Sequence, residues 1–179
     1  MVAVAASADY TAEFHCTGAI GYMGATMIVN YFHFSFTVSN PERSIEFYRD
    51  IVGMKLVKTF IHDQPYTSVQ VGFPNTYLKV ATFTIEGIPS ARSGHLLELI
   101  EYVNPRGEPT DTATNRPGSA HLAFQVDDLR AEYHRMKALG VRFKSEPVRI
   151  TAGPNEGGWT IYFLDPDNIT LEMVQPREL

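Results

Sequence analysis

Two short segments of this 179-residue chain are versions of one pattern, and that repetition constrains the fold more than any other feature. His33-Phe34-Ser35-Phe36-Thr37-Val38 and His121-Leu122-Ala123-Phe124-Gln125-Val126 both read H-x-x-F-x-V. Each is followed by a segment of helical periodicity that stops, at nearly the same distance, on a glycine: Gly53 in one half and Gly140 in the other. Farther on, each half carries a glutamate inside an apolar run, Leu97-Glu98-Leu99 and Leu171-Glu172-Met173. The chain therefore reads as two copies of one module, each contributing one histidine and one glutamate.

The local signals give both modules the order β-α-β-β-β. In the first, residues 30–103, Tyr31–Val38 alternates as a strand, Ser39-Asn40-Pro41 starts a helix with a capping side chain followed by a proline, and Gly53 ends it. Met54–Ile61 is expected to be a strand, with further strands at Thr67–Val71, Tyr77–Ile85 and His95–Tyr102. Residues 104–118, with Pro105, Pro109, Pro117, Gly107 and Gly118, read as the linker. The second module, residues 119–175, repeats the plan. It has a leading strand Ser119–Val126, a helix capped by Asp127 or Asp128 and a short strand near Val141–Lys144. A loop at Ala152–Gly158 follows, then paired strands Trp159–Leu164 and Ile169–Val174 about a turn in which Asn168 takes the left-handed position. The fold class is α+β: two tandem modules forming a cup-shaped mixed sheet with helices on its outer face.

Strand alternation sorts the chemistry. Phe34, Phe36 and Val38, like Leu122, Phe124 and Val126, share the face on which a helix packs, so His33 and His121 point the other way. Glu98 and Glu172 likewise oppose their leucine and methionine neighbours. A carboxylate in the middle of an apolar strand is expensive to bury alone. Two carboxylates and two histidines at matching repeat positions could satisfy one another around a divalent metal. Taken singly, each has a plainer reading: a hydrogen-bonded strand histidine, or a glutamate solvated on an open face. Four at equivalent positions favour metal. His62, His95 and His134 share no repeat partner and are excluded as ligands, and His15 beside Cys16 in an irregular segment is given no role.

Composition narrows the partners. A formal charge of −5 argues against a nucleic-acid partner, which would need a concentrated basic face. The single cysteine excludes an intrachain disulfide and a Cys-based zinc site and fits a reducing cytoplasm. No basic residue precedes Arg43, so no signal peptide is read, and no stretch is apolar enough to span a membrane. Residues 1–29 show no clear period: an added strand, an arm to a neighbouring subunit and an upstream start all remain open.

These features resemble the vicinal oxygen chelate superfamily, which includes glyoxalase I, methylmalonyl-CoA epimerase, extradiol dioxygenases, fosfomycin-resistance transferases and bleomycin-binding proteins. The resemblance covers about Tyr31 to Gln175. It is carried by the duplicated module, the H-x-x-F-x-V strands, Arg43-Ser44-Ile45-Glu46-Phe47-Tyr48 running to Gly53-Met54-Lys55-Leu56-Val57, and Phe163-Leu164-Asp165-Pro166-Asp167 running to Leu171-Glu172. It implies that His33, Glu98, His121 and Glu172 are the metal ligands, a His/Glu/His/Glu set similar to that of bacterial-type glyoxalase I. Such a set suits Ni, Co, Mn, Fe or Zn and leaves two positions for a substrate with adjacent oxygens.

The resemblance also implies a reaction: a lyase or isomerase of the lactoylglutathione-lyase kind, passing through an enediolate-like intermediate. Glu172, or else Glu98, would be the general base. Glutathione is a candidate co-substrate, with Arg43 at a helix position where such enzymes often carry a basic residue, although a plain surface charge beside Glu42 and Glu46 is an equal reading of Arg43. A homodimer is expected. Two alternatives stand beside this reading, an iron-dependent extradiol-type dioxygenase and a metal-free binding protein of the bleomycin-resistance kind. Glu98 weighs against the first, because a fourth protein ligand takes a position that O₂ or a catecholate needs. The complete ligand set weighs against the second.

Overall fold

The computed structural model describes residues 32–87 and 96–177. The N-terminal extension, His15, Cys16, His95 and most of the loop Gly87–Gly94 lie outside the described residues. Each module makes its own mixed sheet. In the first, β1 (His33–Thr37), β2 (Lys55–His62), β3 (Tyr77–Thr84) and β4 (Leu96–Asn104) lie in the order β1-β4-β3-β2. In the second, β5 (His121–Gln125), β6 (Arg142–Phe143), β8 (Trp159–Leu164) and β9 (Thr170–Gln175) lie in the order β5-β9-β8-β6, and a short β7 (Val148–Arg149) also pairs with β8. The leading strand of each module runs parallel to its closing strand and forms the edge of its sheet.

The helices start and stop where their residues require. Asn40 caps α1 (Pro41–Glu46) by accepting a hydrogen bond from the Arg43 amide at 2.9 Å, with Pro41 in the first turn. The helix then widens into a π-helical turn, Phe47–Ile51, and ends at Gly53, whose φ of +84° puts it in the left-handed region. In the second module Asp128 caps α3 (Leu129–Ala138) by accepting from the Ala131 amide, and Gly140 repeats the φ of +84°. Asn168 adopts a left-handed φ of +66°, as the turn between β8 and β9 demands.

One segment departs from expectation. The β-branched residues of Thr67–Val71 predict a strand, yet Pro65–Val71 forms a helix, α2. Flanking residues override propensity here. Pro65 presets the first turn, and Gly72, at φ +77°, closes the last by donating its amide to the Ser68 carbonyl. With this segment helical, the first module has the four strands of the β-α-β-β-β plan. β7 is an addition that two residues of sequence were too short to announce.

A single apolar core joins the modules. Phe36, Tyr48, Phe83 and Leu99 of the first pack in the same cluster as Leu129, Met136, Phe163 and Leu171 of the second. Truncating a fully buried leucine such as Leu99 or Leu171 to alanine in a core of this kind costs about 2–5 kcal/mol. Polar ties reinforce the junction. The Arg135 guanidinium donates to the Ile51 carbonyl, Arg106 donates to the Ser39 carbonyl at 3.0 Å, and Thr112 donates to the Asn168 carbonyl at 2.7 Å. Among the described residues, no helix is long and apolar enough to cross a membrane.

Candidate metal half-sites

Strand register brings each histidine to a glutamate. In the first sheet, β1 aligns His33 with Leu96 and Ser35 with Glu98. In the second, β5 aligns His121 with Thr170 and Ala123 with Glu172. The two pairings are the same pairing. Paired residues share a face, so histidine and glutamate emerge together on the side opposite the buried Leu97, Leu99, Leu171 and Met173. The imidazole Nε2 of His33 stands 3.5 Å from Glu98 Oε2, and that of His121 stands 3.2 Å from Glu172 Oε2. Both glutamate side chains are 17% exposed while the histidines are more than twice as open, so the carboxylates sit at the floor of each pair and the imidazoles at its rim.

The structure does not bring all four residues together within one chain. Among the described residues, no group of three or more His, Cys, Asp and Glu side chains is placed to hold one metal ion. Each module therefore supplies half of the donor set expected from the sequence. The donors themselves fit a divalent ion: a neutral imidazole nitrogen and a carboxylate oxygen suit Ni, Co, Mn, Fe and Zn. Neither glutamate has a Lys or Arg ion-pair partner among the described residues, and a metal would supply the charge each lacks.

The half-sites are not identical. Thr160 donates its hydroxyl to Glu172 Oε1 at 2.6 Å, whereas Val80 occupies the matching position opposite β4. Tyr162, cross-strand from Glu172, lies with its ring centre 5.2 Å from that of His121, and its counterpart beside Glu98 is Thr82. Partial burial and the Glu172 carboxylate hold the Tyr162 hydroxyl above its ordinary pKa, so it remains a protonated donor. Sequence reasoning passed over Thr160 and Tyr162, although their positions in β8 place them on the His/Glu face by parity.

Arg43 serves the module junction. Its guanidinium donates to Asp167 Oδ1 at 2.6 Å and to Ser39 Oγ at 3.1 Å, and Ser39 itself bonds Asp167 through its amide and hydroxyl. The acidic neighbours that matter to Arg43 are thus not Glu42 and Glu46 of its own helix. Lys79 takes Glu42, at 3.4 Å. A substrate carboxylate at Arg43 would have to share the cation with Asp167. His62 contacts Tyr66 and Gln64, and His134 lies beside Tyr133 on α3. Neither joins the candidate ligands.

A duplicated module with a His/Glu pair at the same register in each copy defines a class. The chain belongs to the Glyoxalase/Bleomycin resistance protein/Dioxygenase superfamily, whose family model matches residues 30–173. Among individual relatives, it is 30% identical over 145 residues to a 2-epi-5-epi-valiolone epimerase from an Actinomyces species, covering 79% of this chain and 76% of that one. It is 27% identical over 148 residues to the lactoylglutathione lyase of Haemophilus influenzae, covering 81% of this chain and 91% of the lyase. A glyoxalase family protein from Bacillus cereus shares the fold with a TM-score of 0.71 at 16% identity, over 86% of this chain and 98% of its own.

Proposed function

We propose that the protein is a divalent-metal-dependent lyase or isomerase acting on a small substrate with adjacent oxygens, and that two copies of the chain build each site. The observation that supports this most is the repeated pairing itself: His33 with Glu98 and His121 with Glu172, in the same register, each histidine on the strand that ends its sheet among the described residues. Neither pair is a metal site alone. The first-module pair of one copy and the second-module pair of another together supply two imidazole nitrogens and two carboxylate oxygens. A homodimer is the simplest assembly that does this with every site alike.

A metal held there would supply Lewis acidity to the substrate oxygens and so ease loss of the proton next to a carbonyl. The protein's part is to take that proton and return it. Glu172 is the general base in this reading, because Thr160 anchors its carboxylate in place, while Val80 gives Glu98 no such anchor and leaves it to the metal. Returning the proton to the same carbon on its other face gives an epimerase, and returning it to the neighbouring carbon gives a glyoxalase-like reaction. The epimerase and lactoylglutathione lyase relatives span these two outcomes. Glutathione remains a candidate co-substrate of the second.

The test begins with metal content and molecular mass of the purified protein, with His121→Ala and Glu172→Ala alongside. The expected result is near-stoichiometric metal in a dimer, lost in both variants, followed by turnover of methylglyoxal with glutathione or epimerisation of 2-epi-5-epi-valiolone. Protein that stays metal-free after reconstitution with Ni, Co, Mn, Fe and Zn would sink the proposal and leave a small-molecule binding module.

A further inference from the structure

Each module places a lysine on its His/Glu face, and the two lysines are held differently. In the second sheet Phe143 pairs with Phe163, and the next residue, Lys144, bonds its amide to the Tyr162 carbonyl. In the first sheet Leu56 pairs with Phe83, Val57 is extruded half-exposed at a bulge, and Lys58 takes the next pairing, opposite Thr82, with its Nζ 4.7 Å from the centre of the Phe60 ring. Phe143 turns inward against Tyr133 and Phe163, which sends Lys144 to the opposite face, the face of His121 and Glu172. There its Nζ donates to Thr170 Oγ1 at 2.9 Å and stands 5.6 Å from the centre of the Tyr162 ring. Thr170 is the residue paired with His121. Tyr162 is thus flanked by the Lys144 cation and the His121 imidazole, and one aromatic side chain spaces the cation from the half-site.

Lys144 is exposed and, among the described residues, has no carboxylate partner. The nearby Glu172 is committed to His121 and Thr160. An ammonium has three donors, and Thr170 takes one. A fixed cation facing a site, with donors to spare and a phenol alongside, is complementary to an oxyanion.

Resting on the metal-dependent reading above, we propose that Lys144 is a specificity-determining residue: it binds a carboxylate or phosphate on the substrate, held beside Tyr162 on the Glu172 side of the site. The substrate class is therefore an α-hydroxycarbonyl or related vicinal-oxygen compound that carries a fixed negative charge. In the first module Lys58 takes the matching register, but its ammonium lies over the Phe60 ring and Leu96 stands where Thr170 does, so it is not tied beside its histidine as Lys144 is.

The experiment is titration calorimetry with dihydroxyacetone, dihydroxyacetone phosphate and hydroxypyruvate. The protein is wild type, Lys144→Gln and Lys144→Arg, each with and without added Mn(II), and metal content is measured in parallel. Wild type is expected to bind at least one of the anionic compounds roughly tenfold or more tightly than neutral dihydroxyacetone. Preference for the phosphate marks a phosphoryl group, and preference for hydroxypyruvate marks a carboxylate. Lys144→Gln should lose the preference with Mn(II) content unchanged, and Lys144→Arg should keep it. A preference that survives in Lys144→Gln, or that wild type lacks in both metal states, overturns the assignment. Wild type that takes up no Mn(II) yet shows a Lys144-dependent preference overturns the metal-dependent reading alone.

Discussion

The Tyr48 hydroxyl of the first module donates to Asp165 Oδ2 of the second at 3.3 Å, and both side chains are cut off from water. Asp165 Oδ1 meanwhile accepts the amides of Asp167 at 2.8 Å and Ile169 at 2.7 Å, which shapes the turn before β9. One carboxylate therefore sets the local turn and bonds across the module junction. Burial, with a contribution from Asp165, holds the tyrosine well above its ordinary pKa, so it stays a donor throughout the accessible pH range.

Replacing Tyr48 with phenylalanine keeps the ring in the core and removes only the donor. It should destabilise the protein by about 1–2 kcal/mol, because Asp165 Oδ2 is left buried without its partner. Urea denaturation reads this directly. A variant as stable as wild type would show that the 3.3 Å contact carries no net energy.

Asp165 also gives the fold a pH dependence of defined sign. Burial raises its pKa from 3.8 to about 6, against the opposing hydrogen bonds from Ile169 and Asp167. A carboxyl that holds its proton more tightly when folded stabilises the fold fully below about pH 4. That contribution is lost as pH rises through about 6, and amounts to a few kcal/mol at most. In Asp165→Asn the new side chain can keep both backbone hydrogen bonds through its carbonyl oxygen without ionising. Stability of this variant relative to wild type should therefore improve between about pH 4 and pH 7, measured by thermal melts at each pH. An unchanged difference across that window refutes the assignment.

The shared site predicts complementation between inactive chains. His33→Ala damages only first-module pairs and Glu172→Ala only second-module pairs. If sites form across two copies, a mixed dimer of the two variants contains one intact site and one doubly damaged site. Unfolding and refolding the variants together should restore metal binding toward roughly a quarter of the wild-type level, since about half of randomly paired dimers are mixed. A site closed within one chain would restore none.

Gly53 and Gly140 close equivalent helices at φ +84°, and apart from its immediate chain neighbours neither has an atom within 4 Å of where a Cβ would stand. Alanine at either position meets no steric obstacle and incurs only the left-handed backbone penalty. Each substitution should destabilise by about 1–2 kcal/mol, and by similar amounts, with metal content unaffected. Unequal losses would show that the two helix ends are not the equivalent stops their geometry describes.

Much of this molecule is written in local pattern. Alternation placed His33 and His121 opposite the packing Phe36 and Phe124, although Phe34 stays exposed outside the core, and the runs around Glu98 and Glu172 placed those carboxylates opposite leucine and methionine. Asn40, Gly53, Asp128, Gly140 and Asn168 act where short-range chemistry puts them. These features depend on a residue's immediate neighbours, so they can be read along the chain. The helix at Pro65–Val71 escaped because its end residues outweighed the β-branched residues between them.

Long-range contact decided the rest. Arg43 could be judged only against its own helix, while its partner, Asp167, lies in the other module. Tyr48 and Asp165, buried together, are likewise far apart in sequence, and no periodicity links them. The division of four candidate ligands into two separated pairs followed from how the two sheets pack, through one apolar core on their helix-bearing sides. Hydrophobic burial is indifferent to which polar face is left outside and to whether two such faces meet in one chain or across two. Strand parity could show that His33, Glu98, His121 and Glu172 shared a face type, but only the packing of the modules showed that a single chain keeps them apart.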